Sequence, residues 1–114
     1  MNDHRGPEIR LACYGTLQPG QRNHHQLGGL RGRWLTGTVR GTLIPTGSVH
    51  THGFPALFLD PARPAVTVSL FESSDLPDHW PRLDEFEGPD YHRVPVTVST
   101  AEGDLTAYIY EAAR

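Results

Sequence analysis

A chain of 114 residues has room for one ordinary domain with one core, not two. A formal charge of −3 supplies no basic stripe for nucleic acid, and 37% hydrophobic content with ten Pro and twelve Gly describes a turn-rich fold rather than a helical bundle. The start, Met1 to Arg10, lacks the apolar run of a signal peptide and no stretch approaches the roughly 18 apolar residues of a membrane helix, so a cytoplasmic protein with neither membrane nor nucleic-acid partners is expected.

Residues 1–8 contain Gly6-Pro7 and no periodic apolar positions, and read as a loose tail ahead of a single domain over 9–114. Leu11 to Tyr14 is a short apolar run ending at Gly15, which fits a buried strand turning sharply into a Gly- and Pro-rich loop. The lone Cys13 falls in this run, has no partner for an internal disulfide, and reads as a small buried hydrophobe. Asn23 is a candidate cap for a short helix through His24 to Leu27, ended by Gly28-Gly29. Trp34, Val39, Leu43 and Ile44 then lie in a Thr- and Gly-rich stretch that suits a long bent strand, with Gly37 or Gly41 as bulge sites.

Pro45 to Pro55 has loop composition, and Ala56-Leu57-Phe58-Leu59 is a short strand before Asp60-Pro61. Val66, Val68 and Leu70 alternate with Thr67, Ser69 and Phe71, the pattern of a strand buried on one face. Ser73-Ser74-Asp75 supplies N-cap candidates, and Leu76, Trp80, Leu83 and Phe86 recur at helical spacing. Pro81 cannot sit in a helix interior, so a short turn, a break near Trp80 and a second helix from near Pro81 to Gly88 are predicted. Val94, Val96 and Val98 alternate, Glu102-Gly103-Asp104 makes a turn, and Leu105 to Tyr110 returns as a β-hairpin, with Pro95 marking an edge or bulge. The expected architecture is α+β: about six strands in a strongly curved mixed sheet closing partly into a small barrel, with two or three short helices.

Two segments carry chemistry. Glu87 follows the last apolar member of the helical stripe and precedes Gly88-Pro89, which places it beside the core. Burial disfavours the charged form and moves a carboxyl toward the pKa of a group that takes and returns a proton. Asp84 and Glu85 share its turn, however, and spacing alone does not separate the three acids from one another or from ordinary surface charges. In Tyr14 to Gly20, glycines make turns or let backbone N–H groups approach an anion such as a carboxylate. Of the seven His, His50 and His52 form the tightest pair, but no third ligand stands at a recognisable spacing and no metal is expected. Trp34, Trp80, Tyr108 and Tyr110 read as core and strand residues rather than a stacking platform.

The ordered pair of motifs resembles the γ-glutamylcyclotransferase-like family, also called AIG2-like. Its members carry Tyr-Gly-Ser/Thr-Leu after a first strand, here Tyr14-Gly15-Thr16-Leu17. They also carry Leu-Asp-x-Phe/Tyr-Glu-Gly at a helix end followed by Tyr-x-Arg, here Leu83 to Gly88 with Tyr91 and Arg93. Gly20-Gln21-Arg22-Asn23-His24 is most similar to the γ-glutamylamine cyclotransferase branch, and Gly53-Phe54-Pro55-Ala56-Leu57 to the family's aromatic-Pro-Ala-Leu stretch. The resemblance implies Glu87 as catalytic acid/base, Tyr14, Gly15, Thr16, Leu17 and Tyr91 around the substrate, a small γ-glutamyl substrate closed to 5-oxoproline, and no cofactor. Val68-Ser69 departs from the frequent Gly-Glu and bears on substrate choice more than on chemistry. A non-catalytic binding or scaffold protein that keeps the fold and cavity, and an amide hydrolase using water, are the competing readings.

Overall fold

A computed structural model describes residues 6–45 and 54–113. Six strands run in the order β3-β2-β4-β1-β6-β5: β1 Arg10–Cys13, β2 Arg33–Ile44, β3 Ala56–Leu59, β4 Ala65–Glu72, β5 Tyr91–Thr100 and β6 Gly103–Ala112. β2 pairs a second time with β5, through Gly37 opposite Thr100 and Thr38 opposite Ser99. That contact closes five strands into a barrel and leaves β3 hanging from the far half of β2. All pairings are antiparallel except β1 with β6, so the sheet is mixed. The curved mixed sheet closing partly into a small barrel, expected from the sequence, is therefore present, with five of its six strands in the barrel.

The strands alternate as a barrel wall requires. Ala12, Val39, Val68, Leu70, Val98, Ala107 and Ile109 fill the interior together with Leu57. Leu11, Cys13, Phe71 and Tyr110, on the opposite faces of β1, β4 and β6, form a second core with Leu17, Leu27, Leu76, Trp80 and Leu83 from the loops and helices. Each fully buried Leu here is worth about 1.5–3 kcal/mol. β1 is buried on both sides, which is why its sequence reads as an unbroken apolar run.

Helix α1, Trp80–Glu87, follows a 3₁₀ turn at Leu76–Asp78, as the position of Pro81 predicts, and Gly88 ends it with φ of 80°. The other short helices expected are 3₁₀ turns at Pro7–Ile9 and His24–Leu27. The first overlaps the segment expected as a tail: Ile9 is buried and Trp80 Nε1 donates to Glu8 O at 2.9 Å. Asp75, the N-cap of the turn at Leu76–Asp78, makes no side-chain capping bond; Ser73 Oγ accepts from Asp75 N (3.1 Å) and donates to Arg31 O, and Arg31 N donates to Asp75 Oδ2, which ties Arg31 to this corner. Pro95 is exposed on β5, on the expected edge. Most of the loop from Pro45 to Pro55, including His50 and His52, lies outside the described residues, as do residues 1–5.

Gly37 and Gly41 are not bulges. The β2–β4 register runs unbroken from Arg33 to Arg40, and β2 transfers to β3 at Gly41. Both glycines permit close approach instead. A Cβ at Gly37 would lie 2.5 Å from Val98 Cγ1 and 2.9 Å from Ser99 O, and one at Gly41 would collide with Phe58 O. Gly37→Ala should accordingly lose about 1–3 kcal/mol of stability in urea unfolding, while Gly29→Ala, with nothing within 4 Å, should be neutral. Equal stability of the two variants would show that the β2–β5 closure is not tight.

Candidate active site

The barrel end where β1 runs into its loop and α1 returns to β5 holds a cavity of about 320 Å³. Tyr14, Gly15, Thr16, Leu17, Glu87 and Tyr91 all line it, so the structure brings together all six residues singled out from the sequence. Phe54, Pro55, Phe86 and Pro89 supply apolar wall.

The three neighbouring acids have distinct surroundings. Asp84 receives Arg93 through Nε (2.8 Å) and Nη2 (3.1 Å), and the Tyr110 hydroxyl at 2.8 Å. The Arg93 hydrogen bonds, reinforced by Tyr110, hold its carboxyl below the usual carboxylate range. Arg93 itself lies over the rings of Trp80 (4.7 Å) and Tyr108 (4.5 Å), so this pair locks α1 to the β5–β6 hairpin. Glu85 is exposed. Glu87 is largely buried at the cavity, with no hydrogen bond or ion pair to a described residue, and removal from water pushes its carboxyl up to about 7.

Phenolic groups surround this carboxyl. Burial, together with the proximity of Glu87, raises Tyr14, and likewise Tyr91, to about 12 in the latter case, so both remain protonated. Tyr14 Oη donates to Tyr110 O at 2.6 Å and Tyr91 Oη to Pro55 O at 2.8 Å, which fixes both rings as walls. Cys13 is a buried free thiol that burial and Glu87 both push upward, which leaves it a hydrophobe in the wall rather than a nucleophile.

In the same lining as Glu87, the backbone N–H groups of Gly15, Thr16 and Leu17 find no acceptor among the described residues. Their loop is held through its carbonyls and one hydroxyl: Asn23 N donates to Thr16 O (2.9 Å), Asn23 Nδ2 to Thr16 Oγ1 (2.9 Å), and His24 Nδ1 bonds Leu17 O (3.1 Å). Three adjacent unsatisfied donors at a cavity suit an anion or a polarised carbonyl oxygen. A Cβ at Gly15 would meet Pro55 Cγ at an ordinary 3.6 Å, so protein packing alone does not demand glycine there.

Several roles differ from those the sequence suggested. Asn23 makes no capping bond with its side chain and instead clamps Thr16. Phe86 is 38% exposed and lines the cavity rather than extending the core stripe. Tyr110, expected only in the core, also borders the cavity; its place in an alternating strand carries no sign of that second role. No group of three His, Cys, Asp or Glu among the described residues is placed to hold a metal, and no described helix is long and apolar enough to cross a membrane.

Fold and cavity define a small α+β barrel carrying one desolvated carboxyl beside a run of free amides. The chain belongs to the family described as gamma-glutamyl cyclotransferase, AIG2-like, whose model matches residues 11–114. Among solved structures, Bacillus subtilis YkqA is 27% identical with a TM-score of 0.71 over 91% of this chain, which spans only 35% of that protein. A mouse AIG2-like protein is 24% identical, with a TM-score of 0.72 over 94% of this chain and 78% of its own. A structure titled gamma-glutamyl cyclotransferase shares the fold at 21% identity and a TM-score of 0.64, over 93% of this chain and 67% of its own. No curated protein matches the sequence significantly.

The surroundings of Glu87 have a consequence for stability. Its pKa rises from 4.5 to about 7 on folding, so the folded state binds the extra proton in that window and loses stability as pH climbs through it. Glu87→Gln removes the cost of a buried charge. The variant should be more stable than the parent by up to about 3 kcal/mol near pH 8, with the gap closing toward pH ~4, in urea titrations at both pH values. A gap independent of pH would mean that the carboxyl is not desolvated.

Proposed function

We propose that the protein is a γ-glutamyl cyclotransferase that cleaves a γ-glutamyl amine without a cofactor. The observation that carries this reading is a desolvated Glu87 that lines one small cavity together with three backbone amides, none of them partnered among the described residues. In a γ-glutamyl amide the α-amine and γ-carbonyl belong to one molecule, so ring closure requires folding the substrate more than activating it. The amides of Gly15, Thr16 and Leu17 hold the glutamyl head. Glu87 takes one proton from the α-ammonium, the amine attacks the γ-carbon, and the carboxyl returns that proton to the leaving nitrogen as the C–N bond breaks; the second proton shed by the attacking nitrogen on ring closure leaves with the amine, which departs as its ammonium ion. A carboxyl with a pKa of about 7 performs both transfers near neutrality.

The cavity lining favours an amine over an amino acid as the leaving half. Among the described residues its charged lining is Glu87 and Asp90, both acidic, with no Lys or Arg; Arg22 sits over the Phe54 ring, 5.7 Å from its centroid, without lining the cavity. A carboxylate on the leaving half would meet no counter-charge among the described lining residues, whereas an uncharged or cationic amine fits against Phe54, Phe86 and Pro89.

Two experiments test the reaction. Glu87→Gln keeps size but removes the base, so kcat on a γ-glutamyl amine should fall about 10²–10⁴-fold; near-parental turnover would remove Glu87 from the mechanism. In ¹⁸O-labelled water the parent should release unlabelled 5-oxoproline, and acylating the substrate's α-amine should abolish cleavage. Labelled glutamate as the first product would establish hydrolysis instead, and no turnover across a broad γ-glutamyl panel would favour a binding protein.

A further inference from the structure

We propose that Ser69 is a positioning residue which, through the side chain of Gln18, sets the direction of the amide run 15–17. The contacts of Asn23 and His24 with Thr16 and Leu17 all lie within one loop, so they shape that loop without fastening it to the barrel. Ser69 reaches it from the wall. It sits on β4 opposite Cys13 of β1, and its hydroxyl donates to Gln18 Oε1 at 2.9 Å across 51 positions of sequence. Gln18 then donates to Gly15 O twice, through its backbone N and through Nε2, each at 3.2 Å.

The geometry of one peptide makes this a lever on the cradle. Gly15 C=O and Thr16 N–H share a planar trans unit in which they point in opposite directions, so fixing the carbonyl fixes the amide. Both lone pairs of Gly15 O are taken by Gln18, and Gln18 is oriented because a hydroxyl donor faces its Oε1 while only its Nε2 can serve the carbonyl. Removing the Ser69 hydroxyl leaves the Gln18 side chain without that anchor and frees the peptide to rotate. The neighbouring Val68 is buried in the barrel interior and takes no part.

The ligand used in the test rests on the cyclotransferase reading, while the lever itself does not. Ser69→Ala should raise KM for a γ-glutamyl amine, and the Kd for 5-oxoproline, about 3- to 10-fold, the loss of one neutral hydrogen bond. Because Glu87 is untouched, kcat should stay within about twofold. Ser69→Thr should restore the parental values, and Ser69→Ala combined with Gln18→Ala should be no worse than Gln18→Ala alone. In two-dimensional NMR without ligand, Ser69→Ala and Gln18→Ala should shift the amide signals of Gly15, Thr16 and Leu17 in the same directions, and Ser69→Thr should return them. Unmoved amide signals, failure of Thr to rescue, or additive effects in the double variant would overturn the proposal. If the amides shift as expected but the parent neither binds 5-oxoproline nor turns over any γ-glutamyl substrate, the lever stands and the cyclotransferase reading falls.

Discussion

The structure depends on one strand serving three neighbours. β2 pairs with β4 along its first two-thirds, with β3 along the remainder, and with β5 at Gly37 and Thr38. Without the last contact the sheet has two open edges and no enclosed interior. With it, β1 becomes an inner wall buried on both faces, and its exit at Tyr14 is held against the hairpin by Tyr14 Oη on Tyr110 O. The cavity forms where that exit meets the end of α1.

Charge is distributed over α1 in two ways within a single turn. Asp84 is paired with Arg93 and Tyr110, and that pairing fastens the helix to the barrel. Glu87, three residues later, is given burial and no partner among the described residues. An exposed ion pair contributes little by itself, but the packing of Arg93 over the rings of Trp80 and Tyr108 gives this one a fixed geometry. The paired acid thus supplies position, while the acid with no described partner is the one whose proton affinity is raised, at a cost in stability.

Much of the fold is legible in the sequence because its signals are local. The alternation of Val94, Val96 and Val98, the break before Pro81 and the stop at Gly88 each report on one element's own backbone. What escapes is contact between distant elements. Gly37 and Gly41 look like bulge sites, yet their meaning lies in Val98 and Phe58, at sequence separations no periodicity reaches. The candidate site divides in the same way. Its residues are recognisable from two short motifs, but spacing within Asp84-Glu85-Phe86-Glu87 cannot separate the acids, since only Arg93 and Tyr110 reveal which one is taken. Asn23 and Ser69 escape for the related reason that a short polar side chain in a loop or strand does not declare which carbonyl or amide it will meet.

The central claim is that Glu87 is a carboxyl kept out of water, with no counter-ion among the described residues, and ready to exchange its proton near neutrality. Direct titration of side-chain carboxyl carbons in ¹³C-labelled protein, with the signal assigned by its absence in Glu87→Gln, measures that property without reference to any substrate. A midpoint of about 7 is predicted for Glu87. A midpoint near the ordinary 4.5 would contradict the account, because a solvated carboxylate there would share the state of any surface acid.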